Sequence, residues 1–117
     1  MRKRYAAFYF YDVLECIEKI EKYTAGMDLY LFIQDEKTID AVIKNIIIAG
    51  EAFRLIPDEI RMKYPEIEYR EIIGMRNILV HNYLGTDFEE VWKTVEEEIP
   101  VLKQQVQFIL KNLEDLE

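Results

Sequence analysis

The residues best suited to chemistry stand together in the stretch R-N-I-L-V-H-N-Y, which runs from Arg76 to Tyr83. His81 is the only histidine in the chain, and a histidine titrates near neutral pH, which suits it to general acid–base work. Arg76 carries a permanent charge on a planar guanidinium that can grip two oxygens of a phosphate. A lone histidine is more often a core or capping residue, but the pair predicts chemistry at a phosphodiester.

The spacing of these side chains limits how they could act together. On an ideal helix, Asn77 and His81 share one face, whereas Arg76 and His81 point about 140° apart. One straight helix could not easily direct both at a single phosphate. Two arrangements therefore stay open: the helix distorts between Asn82 and Gly85, or a two-fold dimer brings two copies of the helix to one cleft.

Other reaction classes are poorly supported by the sequence. The chain contains no serine, and it shows no P-loop or dinucleotide-binding motif. No Cys/His cluster or tight carboxylate group suggests a metal site, so neither a metal nor a cofactor is predicted. The remaining nucleophile is a ribose 2′-hydroxyl, which predicts RNA as the substrate and a 2′,3′-cyclic phosphate as the product. A symmetric dimer would supply one histidine as base and a second as acid.

The overall charge is in tension with an RNA substrate. The net charge is −8 and the pI is about 4.7, whereas nucleic-acid-binding proteins usually carry a basic patch. RNA binding would therefore depend on local cations. The candidates are Arg2, Lys3, Arg4, Arg61, Lys63, Arg70 and Arg76.

Composition bounds the compartment and the class of protein. A single cysteine, Cys16, precludes an intrachain disulfide, and a cytoplasmic location is the expectation. No signal peptide and no membrane-spanning segment is predicted. Residues 1–117 are expected to form one all-α domain, in which Cys16, Trp92 and most tyrosines serve as packing residues.

Apolar periodicity and capping residues predict the helices that must hold the motif. The first helix is expected to end near Gly26, and residues 29–33 could add a turn. The second begins near Asp35 and ends near Leu55, with Gly50 as a point of close helix packing. The apolar positions of these two helices are Tyr9, Val13, Cys16, Ile17, Ile20, Ile39, Val42, Ile46, Ala49 and Phe53.

The third predicted helix carries the motif. It runs from about Glu66 to His81 or beyond and stops near Gly85. Thr86 followed by Glu89 suggests a capping box for the last helix, and Pro100 should kink that helix. Its apolar seam comprises Val95, Ile99, Leu102, Val106, Ile109 and Leu113. Long helices with short connections predict an up-down four-helix-type bundle with a kinked last helix.

The stretch from Arg76 to Tyr83 resembles the R-x4-H-x-Y signature of HepT-like proteins in the HEPN superfamily. The similarity continues through residues 18–26, 40–52 (ending in A-G-E-A), 64–75 and 91–102, in order and over nearly the whole chain. The chain departs at Tyr69, where the family often has tryptophan, and at Asn82, where glycine is frequent. Neither departure touches the arginine or the histidine.

This resemblance implies a fold, an activity and a partner. The fold is a helical bundle that forms a homodimer around the motif helix. The activity is that of a metal-independent endoribonuclease toxin, with Arg76 and His81 catalytic, Asn77 supporting them, and tRNA one candidate substrate. The partner is a minimal nucleotidyltransferase antitoxin, which could form a larger heteromer with the toxin and transfers AMP onto Tyr83. AMP beside His81 would add charge and bulk that oppose RNA binding.

The sequence leaves two other interpretations open. A non-catalytic HEPN adaptor would bind a nucleotidyltransferase or a nucleotide without cutting RNA, and the acidic composition favours it. A purely structural helical dimer gives no reason for the motif residues to fall together beside a helix stop. An intact pair of Arg76 and His81 favours the enzyme.

Overall fold

The fold is made of helices joined by short connections. A computed structural model describes residues 2–115, with side chains described for residues 6–114, and this part of the chain contains no strand. The helices are α1 (Arg2–Thr24), α2 (Leu29–Gln34), α3 (Glu36–Arg54), α4 (Asp58–Lys63), α5 (Tyr69–His81), α6 (Phe88–Lys93) and α7 (Ile99–Asp115). A 3-10 turn, Tyr83–Gly85, follows α5, and a π-helical turn, Thr94–Glu98, joins α6 to α7. The all-α prediction is confirmed.

Capping residues set several helix boundaries where the sequence places them. Gly26 adopts a left-handed conformation, with φ of +77°, just after α1. The carboxylate of Asp35 accepts a hydrogen bond from the backbone N–H of Thr38 at 3.1 Å and so begins α3, which ends with Leu55 as its C-cap. The predicted start and end of this second long helix are confirmed.

Helix α1 lies at the centre of the core and packs against both α3 and α7, and α5 packs against α3. The apolar stripes predicted for the long helices are mostly buried, with Val13, Ile17 and Val106 fully enclosed. Cys16 is buried among them, and burial raises the pKa of its thiol to about 11, so it stays protonated. The Trp92 ring lies 5.1 Å from the Phe32 ring, centroid to centroid, inside the core. Cys16 and Trp92 therefore act as packing residues, as predicted.

Three details of the prediction are wrong. The segment between the second and third predicted helices, where no helix is expected from the sequence, contains helix α4, whose six residues are too few to show periodicity. Helix α5 begins at Tyr69, three residues later than predicted. The last helix is capped by Asp87, whose carboxylate accepts from Glu89 N–H at 2.9 Å, while the Thr86 hydroxyl donates to Asn82 O instead. An acidic cap also suits the positive end of the helix dipole.

A π-helical turn lies just before Pro100, where a kink is predicted from the sequence. Pro100 has no N–H to donate, and its ring would crowd the carbonyl one turn earlier in a regular helix. The N–H of Ile99 instead bonds Thr94 O, five residues back, which widens the turn. The last helix thus continues into α7 without breaking.

The side chains of Arg2, Lys3 and Arg4, candidates for RNA binding, lie outside the described residues. Within the described part of the chain, none of the helices has the length and apolar character needed to traverse a bilayer.

Candidate active site

The backbone of Arg76 lies at the point where α3 and α5 come closest to each other. A Cβ atom added to Gly50 would lie 2.5 Å from Arg76 Cβ and 3.5 Å from Ile72 O. Only a glycine fits there without a shift of one helix. The close packing predicted for Gly50 therefore exists, and it places the arginine of the motif against α3.

The guanidinium of Arg76 is held from two sides. Its Nη2 lies 3.2 Å from Glu51 Oε2 on α3, and its Nη1 donates to Asn77 Oδ1 at 2.8 Å. The side chain is 24% exposed. Its Nε is buried and finds no hydrogen-bond partner among the described residues. Arg76 is thus oriented by the protein, with part of its surface open.

A second arginine shares the same carboxylate. Arg54 donates from Nε to Glu51 Oε2 at 3.1 Å and from Nη2 to Glu51 Oε1 at 2.6 Å. These hydrogen bonds, and then the charge of Arg76, lower the pKa of Glu51 below its usual value. Two guanidiniums on one carboxylate leave one surplus positive charge at this point of an acidic protein, which suits an anionic ligand.

His81 lies on the opposite, open side of α5. It is the last residue of α5, its ring is exposed, and no hydrogen bond or ion pair to it is found within the described chain. Helix α5 stays regular through His81 and departs only at Asn82. The distortion considered from the sequence therefore comes too late to turn His81 toward Arg76. Within one chain, the two catalytic candidates point in different directions.

The open face of α5 is partly apolar. Ile78 is 61% exposed and Leu84, in the 3-10 turn, is 98% exposed. Gly74 lies one turn before Ile78, and a Cβ there would meet nothing within 4 Å. This face also carries Asn77 and His81. Exposed apolar residues around a small residue are typical of a helix that packs against a partner.

Tyr83 is directed onto α3 rather than toward His81. Its hydroxyl donates a hydrogen bond to Asp40 Oδ1, and this carboxylate raises the pKa of Tyr83. A shallow groove surrounds the contact, lined by Asp40, Ile43, Lys44, Ile47, Ile48 and Tyr83. The ring is 39% exposed, so the hydroxyl sits at the surface with a single anionic partner.

Arg61, one of the residues considered for RNA binding, has a structural role instead. Arg61 donates to the carbonyls of Phe53, Arg54 and Ile56, and its guanidinium lies 5.6 Å from the Tyr69 ring centroid. It therefore closes the C-terminus of α3. Arg54, Glu51 and Asp40 also belong to the site, although no motif in the sequence marks them. Only the three-residue spacing of Glu51 and Arg54 on one helix could have indicated the first pair.

Comparisons with known proteins agree on one family. The profile of the family described as "Ribonuclease HepT-like" matches residues 13–109. "Putative RNase MJ0125" of Methanocaldococcus jannaschii is 40% identical over 98% of this chain and 99% of its own length. "Probable ribonuclease HepT" of Thermococcus cleftensis is 41% identical over 93% of this chain and 99% of its own length. No solved structure matches the chain.

Proposed function

The chain belongs to the HepT-like ribonuclease family, and from that premise we propose that it is a metal-independent endoribonuclease acting as the toxin of a toxin–antitoxin pair. Among the described residues, the observation that carries the proposal is the fixed orientation of Arg76. Glu51, Asn77 and the closely packed Gly50 hold its guanidinium at the surface with part of it exposed. A guanidinium held in this way and still partly exposed is prepared to bind an anion such as an RNA phosphate.

The proposed reaction uses only groups of this chain and of the RNA. A His81 imidazole takes the proton of a ribose 2′-hydroxyl, whose oxygen attacks the adjacent phosphorus. Arg76 stabilises the extra negative charge of the pentacoordinate phosphorane. The bond to the 5′-oxygen breaks, and a protonated His81 supplies the proton to that leaving oxygen. The products are a 2′,3′-cyclic phosphate and a 5′-hydroxyl.

The proposed active form is a two-fold dimer around α5. In one chain, the guanidinium of Arg76 contacts α3 while the His81 ring faces outward. The two side chains therefore do not point at a common phosphate position. A partner packed on the exposed face of α5 would bring a second His81 into the same cleft. Exposed Ile78 and the unobstructed Gly74 support close packing at that face.

The proposed regulator is a minimal nucleotidyltransferase antitoxin that places AMP on Tyr83. The hydroxyl of Tyr83 is at the surface, and its partner Asp40 can accept its proton. The transferred phosphate would lie two residues from His81 in sequence. Its charge and bulk would oppose the approach of an RNA phosphate.

The decisive experiment is cleavage of total cellular RNA in the presence of EDTA. The wild-type chain should cut and leave 2′,3′-cyclic phosphate ends, and the His81→Ala variant should not. Retained cleavage by a cleanly purified His81→Ala variant would remove His81 from the mechanism. If neither protein cuts, the intact mass of the wild type distinguishes a toxin silenced by AMP from an inactive chain.

A second candidate function is a HEPN adaptor that binds a nucleotidyltransferase or a nucleotide without cutting RNA. The net charge of −8 favours this reading, because a long RNA would be repelled by most of the surface. An unmodified wild-type chain that fails to cut RNA would support the adaptor.

A further inference from the structure

A cavity opens into the core on the side of the molecule away from the motif. Its volume is about 270 Å³, and it lies where α5 faces the π-helical turn and α7. Its floor is apolar and includes Ile17 and Ile46, core residues of α1 and α3. Only a few polar contacts bridge the gap, including one from Gln105 Nε2 to Glu66 O at 3.2 Å.

The rim of this cavity is strongly acidic. Glutamates 66, 68, 71, 97 and 98 line it, and no lysine, arginine or histidine does. The neighbouring cation Lys103 is paired with Glu21 at 2.8 Å, so it does not neutralise the rim. An apolar floor under five carboxylates fits an occupant that combines an apolar group with several positive charges.

The negative charge of the rim disfavours two other ligands, RNA and a second copy of this chain. RNA phosphates would be repelled by five carboxylates. A second copy seated here by two-fold symmetry would set the same five carboxylates against each other. The face is also distinct from the motif, since Ile72 and His81 lie about 180° apart around α5.

The apolar surface extends beyond the cavity mouth. Val101 at the rim is 54% exposed, and Phe108, two turns further along the same face of α7, is 66% exposed. A small amine would leave this stripe uncovered. An extended segment with alternating apolar and basic side chains would cover it and also reach more than one carboxylate.

From these features we infer that the acidic cavity between α5 and the π-helical turn binds a short basic segment of a partner protein. One apolar side chain enters the cavity, and flanking lysines or arginines meet the glutamates of the rim. The inference does not depend on the ribonuclease proposal, because the site shares no residue with Arg76, Asn77, His81 or Tyr83.

The test uses the full chain labelled with ¹³C at the methionine methyl groups. Met75 lines the cavity, whereas Met62 lies on α4 and is 79% exposed, so it serves as an internal control. The probe is the synthetic peptide acetyl-Lys-Leu-Lys-amide, for which a dissociation constant on the order of millimolar is expected. Acetyl-Gln-Leu-Gln-amide is the uncharged control peptide. Hexylammonium is a second control, which carries one apolar chain and one positive charge.

The lysine peptide should shift the Met75 signal but not the Met62 signal. The pair Glu97→Gln/Glu98→Gln should weaken its binding about threefold or more, since each exposed ion pair adds modestly. The matched pair Glu89→Gln/Glu90→Gln removes the same charge from exposed positions of α6 outside the cavity and should change the binding little.

The inference is overturned if the neutral peptide binds equally well or if both variant pairs weaken binding equally. It is also overturned if hexylammonium binds as tightly as the lysine peptide, or if the folded chain shows no Met75 shift.

Discussion

Gly50 and Arg76 are in direct contact across the interface of α3 and α5. The position of a Cβ on Gly50 is only 2.5 Å from Arg76 Cβ, an atom next to the backbone that cannot swing aside. The missing side chain at Gly50 therefore sets both the spacing of the two helices and the point from which the guanidinium of Arg76 extends.

The substitution Gly50→Ala should push α5 away from α3. We expect the free energy of unfolding to fall by about 1–2 kcal/mol, which is the overpacking cost less the gain in helix propensity. RNA cleavage should fall with it, because Arg76 moves relative to Glu51. Urea unfolding and cleavage rates measure the two effects.

An Arg76→Gly background provides the control for that experiment. The obstructing Cβ is then gone, so Gly50→Ala should be neutral or should stabilise by up to about 1 kcal/mol. The difference between the two backgrounds is the coupling energy of the contact. Equal effects in both backgrounds would show that the contact does not limit helix spacing.

The substitution Arg76→Lys should lower the rate of RNA cleavage by about 100-fold, as expected for loss of a donor that stabilises transition-state charge. A lysine keeps the charge but cannot bond Glu51 and Asn77 while also presenting a planar face to phosphate. Arg54→Lys is the matched control, because Arg54 binds the same carboxylate but lies outside the motif. It should retain most activity. Wild-type turnover by Arg76→Lys would remove Arg76 from the reaction.

The substitution Ile78→Glu should dissociate the proposed dimer and abolish cleavage. It places a charge on the exposed face of α5, which would otherwise be buried against the partner. Met62→Glu introduces the same charge at an exposed position of α4 and should leave both properties intact. Sedimentation velocity and RNA cleavage are the measurements. A monomeric Ile78→Glu variant with full activity would show that one chain suffices.

The substitution Tyr83→Phe should preserve cleavage but prevent nucleotide transfer. It removes only the hydroxyl that bonds Asp40, at a position 39% exposed, so the fold should persist. Tyr30→Phe, at a tyrosine that is 68% exposed, is the control and should still accept AMP. Intact mass after coexpression with the antitoxin measures the transfer. A gain of one AMP in the Tyr83→Phe variant would place the acceptor elsewhere.

Long amphipathic helices could be predicted from the sequence because their apolar periodicity repeats over several turns. Helix α4 could not, since six residues give no period to recognise. The cap of α6 was misplaced because Thr86 and Asp87 are both good capping residues, and the choice between them depends on the local backbone: the Thr86 hydroxyl bonds back to Asn82 O, and Asp87 caps the helix. The exact form of the irregularity before Pro100 depends on which carbonyl the N–H of Ile99 reaches.

The candidate site could likewise be predicted only in part from the sequence. The motif residues Arg76, Asn77, His81 and Tyr83 lie within one short stretch of sequence and could be identified from it. Their partners on α3 could not, because the Tyr83 contact with Asp40 spans 43 residues and depends on helix packing. Likewise, the sharing of the Glu51 carboxylate by Arg54 and Arg76 depends on how α5 packs against α3, which the sequence does not give.

The π-helical turn Thr94–Glu98 also bears on how this chain can change over evolutionary time. Such a turn holds one residue more than the regular helix on either side of it. Deleting a single residue there would leave a regular helix with the downstream residues still in phase, whereas deleting one from the start of α7 would rotate everything downstream by roughly 100° around the axis, turning the buried Val106, Ile109 and Leu113 away from the core. Substitutions can accumulate one at a time anywhere along this helix, but the loss of a residue keeps the apolar residues of α7 facing the core only if it occurs in the π-helical turn.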